Sequence, residues 1–123
     1  MVIGFKSSST TKLNGKELSF VFSNLAMLIN SGMSMVKALE VLCDVTKGNH
    51  HKAFCLLYSS IKEGNSFSSS CLAITSEDMY ISLLAMGEEM GRLEEVLYKL
   101  AVHIEEKESY KNKIIKLSIY PII

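Results

Sequence analysis

Three cysteines, three histidines and a run of glutamates are the side chains of this 123-residue chain that could do chemistry. Cys43, Cys55 and Cys71 are odd in number, none stands in a Cys-x-x-Cys pair, and each has apolar neighbours. They read as buried, reduced thiols in a cytosolic domain. His50 and His51 are adjacent and so point to different faces of a helix, which is poor geometry for a shared metal, and His103 sits among apolar and acidic neighbours. Without a His-x-x-x-His or Cys-x-x-Cys spacing, no metal site and no other cofactor is expected. His51 and Cys55, at i and i+4, could pair as base and nucleophile, but no third residue orients them and no oxyanion hole accompanies them. Glu88, Glu89, Glu94 and Glu95 form the sharpest carboxylate cluster. Paired acids can transfer protons or hold a divalent cation through oxygen. The plainer reading is a solvated helix start, where acids complement the dipole, with Glu89, Glu94 and Glu95 free to meet a partner. The segment also lacks the Gly-rich turn followed by Lys-Ser/Thr that cradles phosphate. No enzyme signature is present, and the chain is expected to be non-catalytic.

The elements that must position these residues are helices. Half the chain is apolar, with seven Met, a single Pro and no Trp, and no alternating strand pattern competes. A first helix from about Lys16 carries Leu18, Val21, Phe22, Leu25, Leu28 and Ile29 on one stripe and stops at Asn30-Ser31-Gly32. Ser34 is the expected N-cap of a second helix with Met35, Leu39, Leu42 and Val45 inward. Lys47-Gly48-Asn49 breaks it, and a third helix from about His50 buries Phe54, Leu57, Tyr58 and Ile61 until Gly64-Asn65. Residues 66–74 predict a short helix capped by Ser66 and anchored by Phe67 and Leu72. A fifth helix opens at Thr75 or Ser76, with Tyr80, Leu83 and Leu84 inward. Gly87 and Gly91 bracket a turn, and a last helix from Arg92 buries Leu93, Val96, Leu97, Leu100, Ala101 and Ile104. The expected architecture is an all-α antiparallel bundle of about six helices with a long C-terminal helix.

The charges sum to zero only by cancellation. Residues 1–62 carry seven Lys against three acids, residues 63–108 ten acids against three bases, and residues 109–123 three Lys and no acid. A net basic surface for nucleic acid is therefore not expected. After Ile104 the apolar stripe ends without a helix stop, and Glu105–Lys113 is polar all round, which predicts a solvated rod of ~14 Å. Ile114–Ile123 then turns apolar behind Lys111 and Lys113, with Lys116 inside the run. Ten residues are too few to cross a bilayer, yet they look like the first turns of a span with its basic cytoplasmic flank. The expected organisation is a flexible leader over residues 1–15, a cytoplasmic bundle over 16–113, and the onset of a transmembrane helix over 114–123. The competing reading is a soluble homodimeric adaptor that uses the C-terminal apolar run as its dimer seam.

Four stretches in order carry a family. Phe22–Leu42 (FSNLAMLINSGMSMVKALEVL) resembles the opening of the cytoplasmic domain of the inner-membrane platform proteins of type II secretion and type IV pili. Ile61–Ser70 (IKEGNSFSSS) looks like that family's Gly-x-Ser-Leu/Phe-Ser turn. Met86–Ala101 (MGEEMGRLEEVLYKLA) resembles its Gly-Glu-x-x-Gly-x-Leu-x-x-x-Leu signature, and Tyr120-Pro121 its entry into the first transmembrane helix. Glu89-Met90 departs from the small residue usual before Gly91, and Ser23-Asn24 stands where Arg-Gln is common. The resemblance implies the first of two cytoplasmic domains of a multi-pass scaffold that couples an assembly ATPase to pilus or pseudopilus growth. It implies as partners that ATPase, other inner-membrane components and further copies of itself, at the cytoplasmic face of the inner membrane. Gly32, Gly64, Gly87, Glu88, Gly91, Leu93, Tyr120 and Pro121 are the signature positions. Glu88 is expected to offer its carboxylate to free N–H groups of the following helix.

Overall fold

The computed structural model describes residues 10–122, with side chains described over residues 10–109. Asn14 and Glu17 close a reciprocal capping box, Asn14 Oδ1 accepting from Glu17 N at 2.8 Å and Glu17 Oε1 from Asn14 N at 3.0 Å. They start helix α1 at Gly15–Asn30. Ser34 caps α2, Met35–Val45, through Lys37 N, as its residue type predicts. α3 runs Gly48–Lys62, beginning two residues before the expected His50. Ser66 caps the four-residue α4, Phe67–Ser70, which tightens into a 3₁₀ turn at Cys71–Ala73. α5 spans Asp78–Met90 and α6 spans Leu93–Ile122. No strand occurs among the described residues.

The helices pack as an antiparallel bundle. α1 lies along α6 in the most extensive pairing, α2 and α3 form a hairpin, and α5 bridges α6 and α4. The core is the predicted set of stripes: Val21, Phe22 and Leu25 of α1, Leu39 of α2, Phe54 and Leu57 of α3, Leu84 of α5 and Leu97 of α6 are fully buried. Ser19, also buried on α1, donates its hydroxyl to the Ala101 carbonyl of α6 at 3.0 Å.

Several expectations shift by a fraction of a turn. Leu72, expected as an anchor, is 53% exposed, because the 3₁₀ turn shortens the period to three and turns Cys71 and Ile74 inward instead. Val45 is 68% exposed, since α2 ends there and Thr46 is already extended. Leu83 also faces outward, while Tyr80 and Leu84 on either side of the stripe are buried. α5 starts at Asp78 rather than at Thr75 or Ser76. Thr75 is buried instead, and its hydroxyl accepts from Glu77 N at 3.2 Å.

The described end of the polar leader is fixed. Thr11 N and Leu13 N donate to the carbonyls of Ala73 and Ile74 at 2.8 and 2.9 Å, and Leu13 packs on the core. At the other end, α6 continues unbroken through the polar stretch and the apolar run to Ile122, as the lack of a stop signal predicts. Its polar stretch does not begin as a bare rod. Glu108 lies so close to Gly15 that a Cβ there would run into its carboxyl group, so the first turn beyond the core leans on the start of α1. No helix among the described residues is long and apolar enough to cross a membrane. The side chains of Tyr120 and Pro121 lie outside the described ones; their backbone is part of α6.

Candidate functional site

Two turns that lie 20 residues apart in the chain are joined by one carboxylate. The first is Gly64–Ser70. Gly64, at φ 100°, ends α3, and Asn65 Nδ2 returns to the Ser60 carbonyl at 3.2 Å. Ser66 then accepts from Ser69 N at 3.2 Å, and Phe67 plugs the core at 2% exposure. Ser70, buried, donates to the Ser66 carbonyl at 2.7 Å and lies 2.7 Å from Ser60 Oγ.

The second turn is Gly87–Leu93. Gly87 is buried within α5, not at its end, and a Cβ there would sit 2.8 Å from Val96 Cγ2 and 3.3 Å from Leu93 Cα. Its lack of a side chain lets α5 close on α6. Gly91 holds the left-handed conformation at φ 70°, where other residues are strained, and terminates α5. Arg92 N returns to the Gly87 carbonyl at 2.7 Å, completing the reversal into α6.

Glu88 links the two. Its Oε2 accepts from Phe67 N at 2.7 Å, and its Oε1 accepts from Ser68 N at 3.1 Å and from Ser68 Oγ at 2.6 Å. The carboxylate thus satisfies the first N–H groups of α4, the helix before it in the chain. The expectation that it serves the following helix is corrected. The physical reason is orientation: Glu88 sits near the C-terminal end of α5, where the nearest free donors belong to α4 rather than to α6. The same fact corrects the reading of Glu88 and Glu89 as a helix start. Only Glu94 and Glu95 occupy one, in the first turn of α6.

The carboxylates therefore divide. Glu88 is engaged in the fold. Glu95 pairs with Arg92 at 3.7 Å and Lys99 at 3.3 Å on an exposed face of α6, and Glu94 is half-buried. Glu89 is exposed, next to the exposed Met86 and Met90. Gly32, at φ 105°, follows α1, and Leu93 packs against the core at the head of α6.

The cysteines depart further from expectation. Cys71 is a buried free thiol, as read, and burial, with the nearby Glu88 charge, pushes its pKa well up. Cys43 and Cys55 are instead joined as a disulfide, with Cα atoms 5.4 Å apart. The α2–α3 hairpin folds the last turn of α2 onto the start of α3, which no local spacing reveals. The sequence does show that His51 and Cys55, at i and i+4, share one face of α3; which residue of α2 lies across from them it does not. His51 joins them, and ligand atoms of Cys43, His51 and Cys55 lie within 4.8 Å of one another. His50 does point elsewhere, stacking on Phe20 of α1 at 4.1 Å.

Residues 21–123 match the family described as type II secretion system (T2SS), protein F. The chain belongs to that family. Type II secretion system protein F of Aeromonas hydrophila is 29% identical over 110 residues, covering 87% of this chain and 28% of that protein. The type IV pilus assembly protein PilC of Myxococcus xanthus is 26% identical over 114 residues, 90% of this chain and 27% of its own length. PilC of Thermus thermophilus is 27% identical over 111 residues, 88% of this chain and 27% of that protein. The chain thus spans less than a third of these relatives. In this protein F family member, the two turns that resemble family motifs are the two that Glu88 ties together.

Proposed function

We propose that this chain is a non-catalytic scaffold: the cytoplasmic domain of an inner-membrane platform protein that couples an assembly ATPase to pilus or pseudopilus assembly. The observation that carries the reading is the family match running from α1 to the end of α6, over a bundle whose signature residues serve packing and capping. In this reading residues 16–113 are the cytoplasmic bundle and residues 114–123 begin a transmembrane helix behind Lys111 and Lys113, with Tyr120-Pro121 at its entry. The apolar run supplies about half of the ~20 residues a span needs, and the greater length of the relatives supports a longer protein that completes it. Self-association and contact with other secretion or pilus components belong to the same proposal. Glu89, exposed between Met86 and Met90, is the acid we assign to such contact, ahead of Glu94 and the ion-paired Glu95.

The test is genetic and biochemical. Deleting the gene abolishes secretion or piliation, the full-length gene restores it, and the assembly ATPase co-purifies with the full-length product. Intact secretion and piliation after deletion, with no ATPase retained, overturns the proposal. A soluble dimer that dissociates when residues 114–123 are removed would favour the adaptor reading.

A further inference from the structure

We propose that Cys43, His51 and Cys55 form a thiolate–imidazole site for Zn²⁺ when the cysteine pair is reduced, and that the disulfide is the oxidised, closed form of that site. The ligand types are those of small zinc sites, and both helices that carry them are locked in one hairpin by core residues Leu42, Phe54 and Leu57. The tautomer of the neutral imidazole is set by its neighbour. His51 Nδ1 lies 2.7 Å from the Cys43 carbonyl oxygen, which can only accept, so in the neutral ring Nδ1 carries the hydrogen and Nε2 the lone pair. Histidine ligands to metals are usually held in this way, with the second ring nitrogen donating to a carbonyl or carboxylate.

Both ring nitrogens lie near Cys55 Sγ, Nε2 the nearer, with Nδ1 at 3.8 Å, and Nδ1 lies 4.0 Å from Cys43 Sγ. Nε2 is 3.6 Å from Cys55 Sγ. The edge between sulfur and nitrogen ligands of a tetrahedral zinc ion, from bonds of about 2.3 and 2.0 Å, is ~3.5 Å. Cys43 and Cys55 are half-buried and His51 exposed, so an ion can enter from solvent. No fourth protein ligand joins the three among the described residues, which leaves one position for water.

The chemistry balances. A thiol reductant converts the disulfide to two thiols, itself leaving as a disulfide: RS–SR + 2 R′SH → 2 RSH + R′S–SR′. Zinc then displaces two protons from the thiols as it binds. Peroxide reverses both steps: the two zinc-bound thiolates, H₂O₂ and two protons give the disulfide, free Zn²⁺ and two waters. A reducing compartment holds such a pair as thiols, so the metal-binding form is the one that the cytoplasmic setting of the proposed scaffold supplies. The site itself rests on the hairpin geometry and stands or falls separately from that reading.

The experiment uses the whole 123-residue chain, reduced with a phosphine, freed of metal, checked for three thiols and titrated with Co²⁺. The expected result is one Co²⁺ per chain, with sulfur-to-cobalt charge-transfer absorption and intense tetrahedral visible bands, both removed by Zn²⁺. Cys43→Ser and Cys55→Ser abolish the bands, while Cys71→Ser leaves them unchanged. His51→Ala weakens Co²⁺ binding by at least about tenfold, the lower end of what even residues supporting a ligand contribute. One equivalent of peroxide expels the metal. Absence of the bands in reduced wild-type chain with native helical circular dichroism overturns the proposal. So do bands that survive both serine substitutions, or a disulfide that resists the phosphine.

Discussion

Glu88 gathers three hydrogen bonds onto one side chain, two from the backbone of α4 and one from the Ser68 hydroxyl. A four-residue helix has hardly any internal bonds with which to hold itself, so an external acceptor at its start matters more than a cap on a long helix. Replacing Glu88 by Ala leaves those donors without a partner and is expected to lower unfolding stability by about 2–3 kcal/mol. Glu89→Ala, one residue along but exposed, is expected to stay within about 0.5 kcal/mol. Urea unfolding of the two variants side by side checks the contrast; equal effects would contradict the assignment. The identity of Glu88 as a capping acid was legible in the sequence from its place beside Gly87. Which helix it caps was not, because the answer depends on how α4 docks against α5, a contact between residues 20 positions apart. Cys43 and Cys55 were illegible for the same reason: apolar neighbours predict burial, but not which thiol lies across the hairpin.

Among elements, the α5–α6 reversal depends on Gly87 as a close contact and Gly91 as a left-handed stop. A methyl group at position 87 meets the Val96 side chain at 2.8 Å, so Gly87→Ala forces the helices apart at a typical overpacking cost of about 1–3 kcal/mol. Trimming the obstructing side chain returns part of that cost. The double variant Gly87→Ala/Val96→Ala is expected to be more stable than the sum of the two single losses, by at least about 0.5 kcal/mol. A double-mutant cycle by thermal or urea unfolding measures it, and strict additivity would place the strain elsewhere. Helix stripes such as Leu18–Val21–Phe22–Leu25 were readable because periodicity is a one-dimensional signal. Leu72 and Val45 misled because a 3₁₀ turn and a helix end each break the 3.6-residue count.

Across the whole molecule, the all-helical bundle followed from composition and spacing, since only one side of each helix had apolar residues enough to bury. Glu17 shows how distant segments are joined around it. Its carboxylate accepts from Asn14 N of the α1 cap and from Asn49 Nδ2 at the head of α3, at 3.0 Å each. The Asn49 bond, then the Asn14 backbone bond and the His50 charge, hold its pKa below the ordinary value of 4.5 against an opposing effect of burial. A carboxyl whose pKa is lower in the folded than in the unfolded chain adds stability above its unfolded value. That stability drains away as the pH falls through the folded value. Glu17→Gln is therefore expected to flatten the acid limb of the stability–pH curve below about pH 4.5, with its loss fully expressed at neutral pH. Denaturant midpoints at neutral pH and at successively lower pH read this directly, and parallel curves for the two proteins would refute it.

α6 has a mechanical consequence. From Leu93 to Ile122 it is one helix of 30 residues, ~45 Å long, packed against α1 and α5 along its first half. The close approach of Gly87 to Val96 sits near that packed end. Ile104 is the last buried residue among those whose side chains are described, and Glu108 still leans on α1; from there the helix runs on for ~21 Å to Ile122, so a tilt of about 10° in the bundle carries Ile122 through about 4 Å. A small rocking of the helical body is thereby geared up into a displacement of the order of one helical turn.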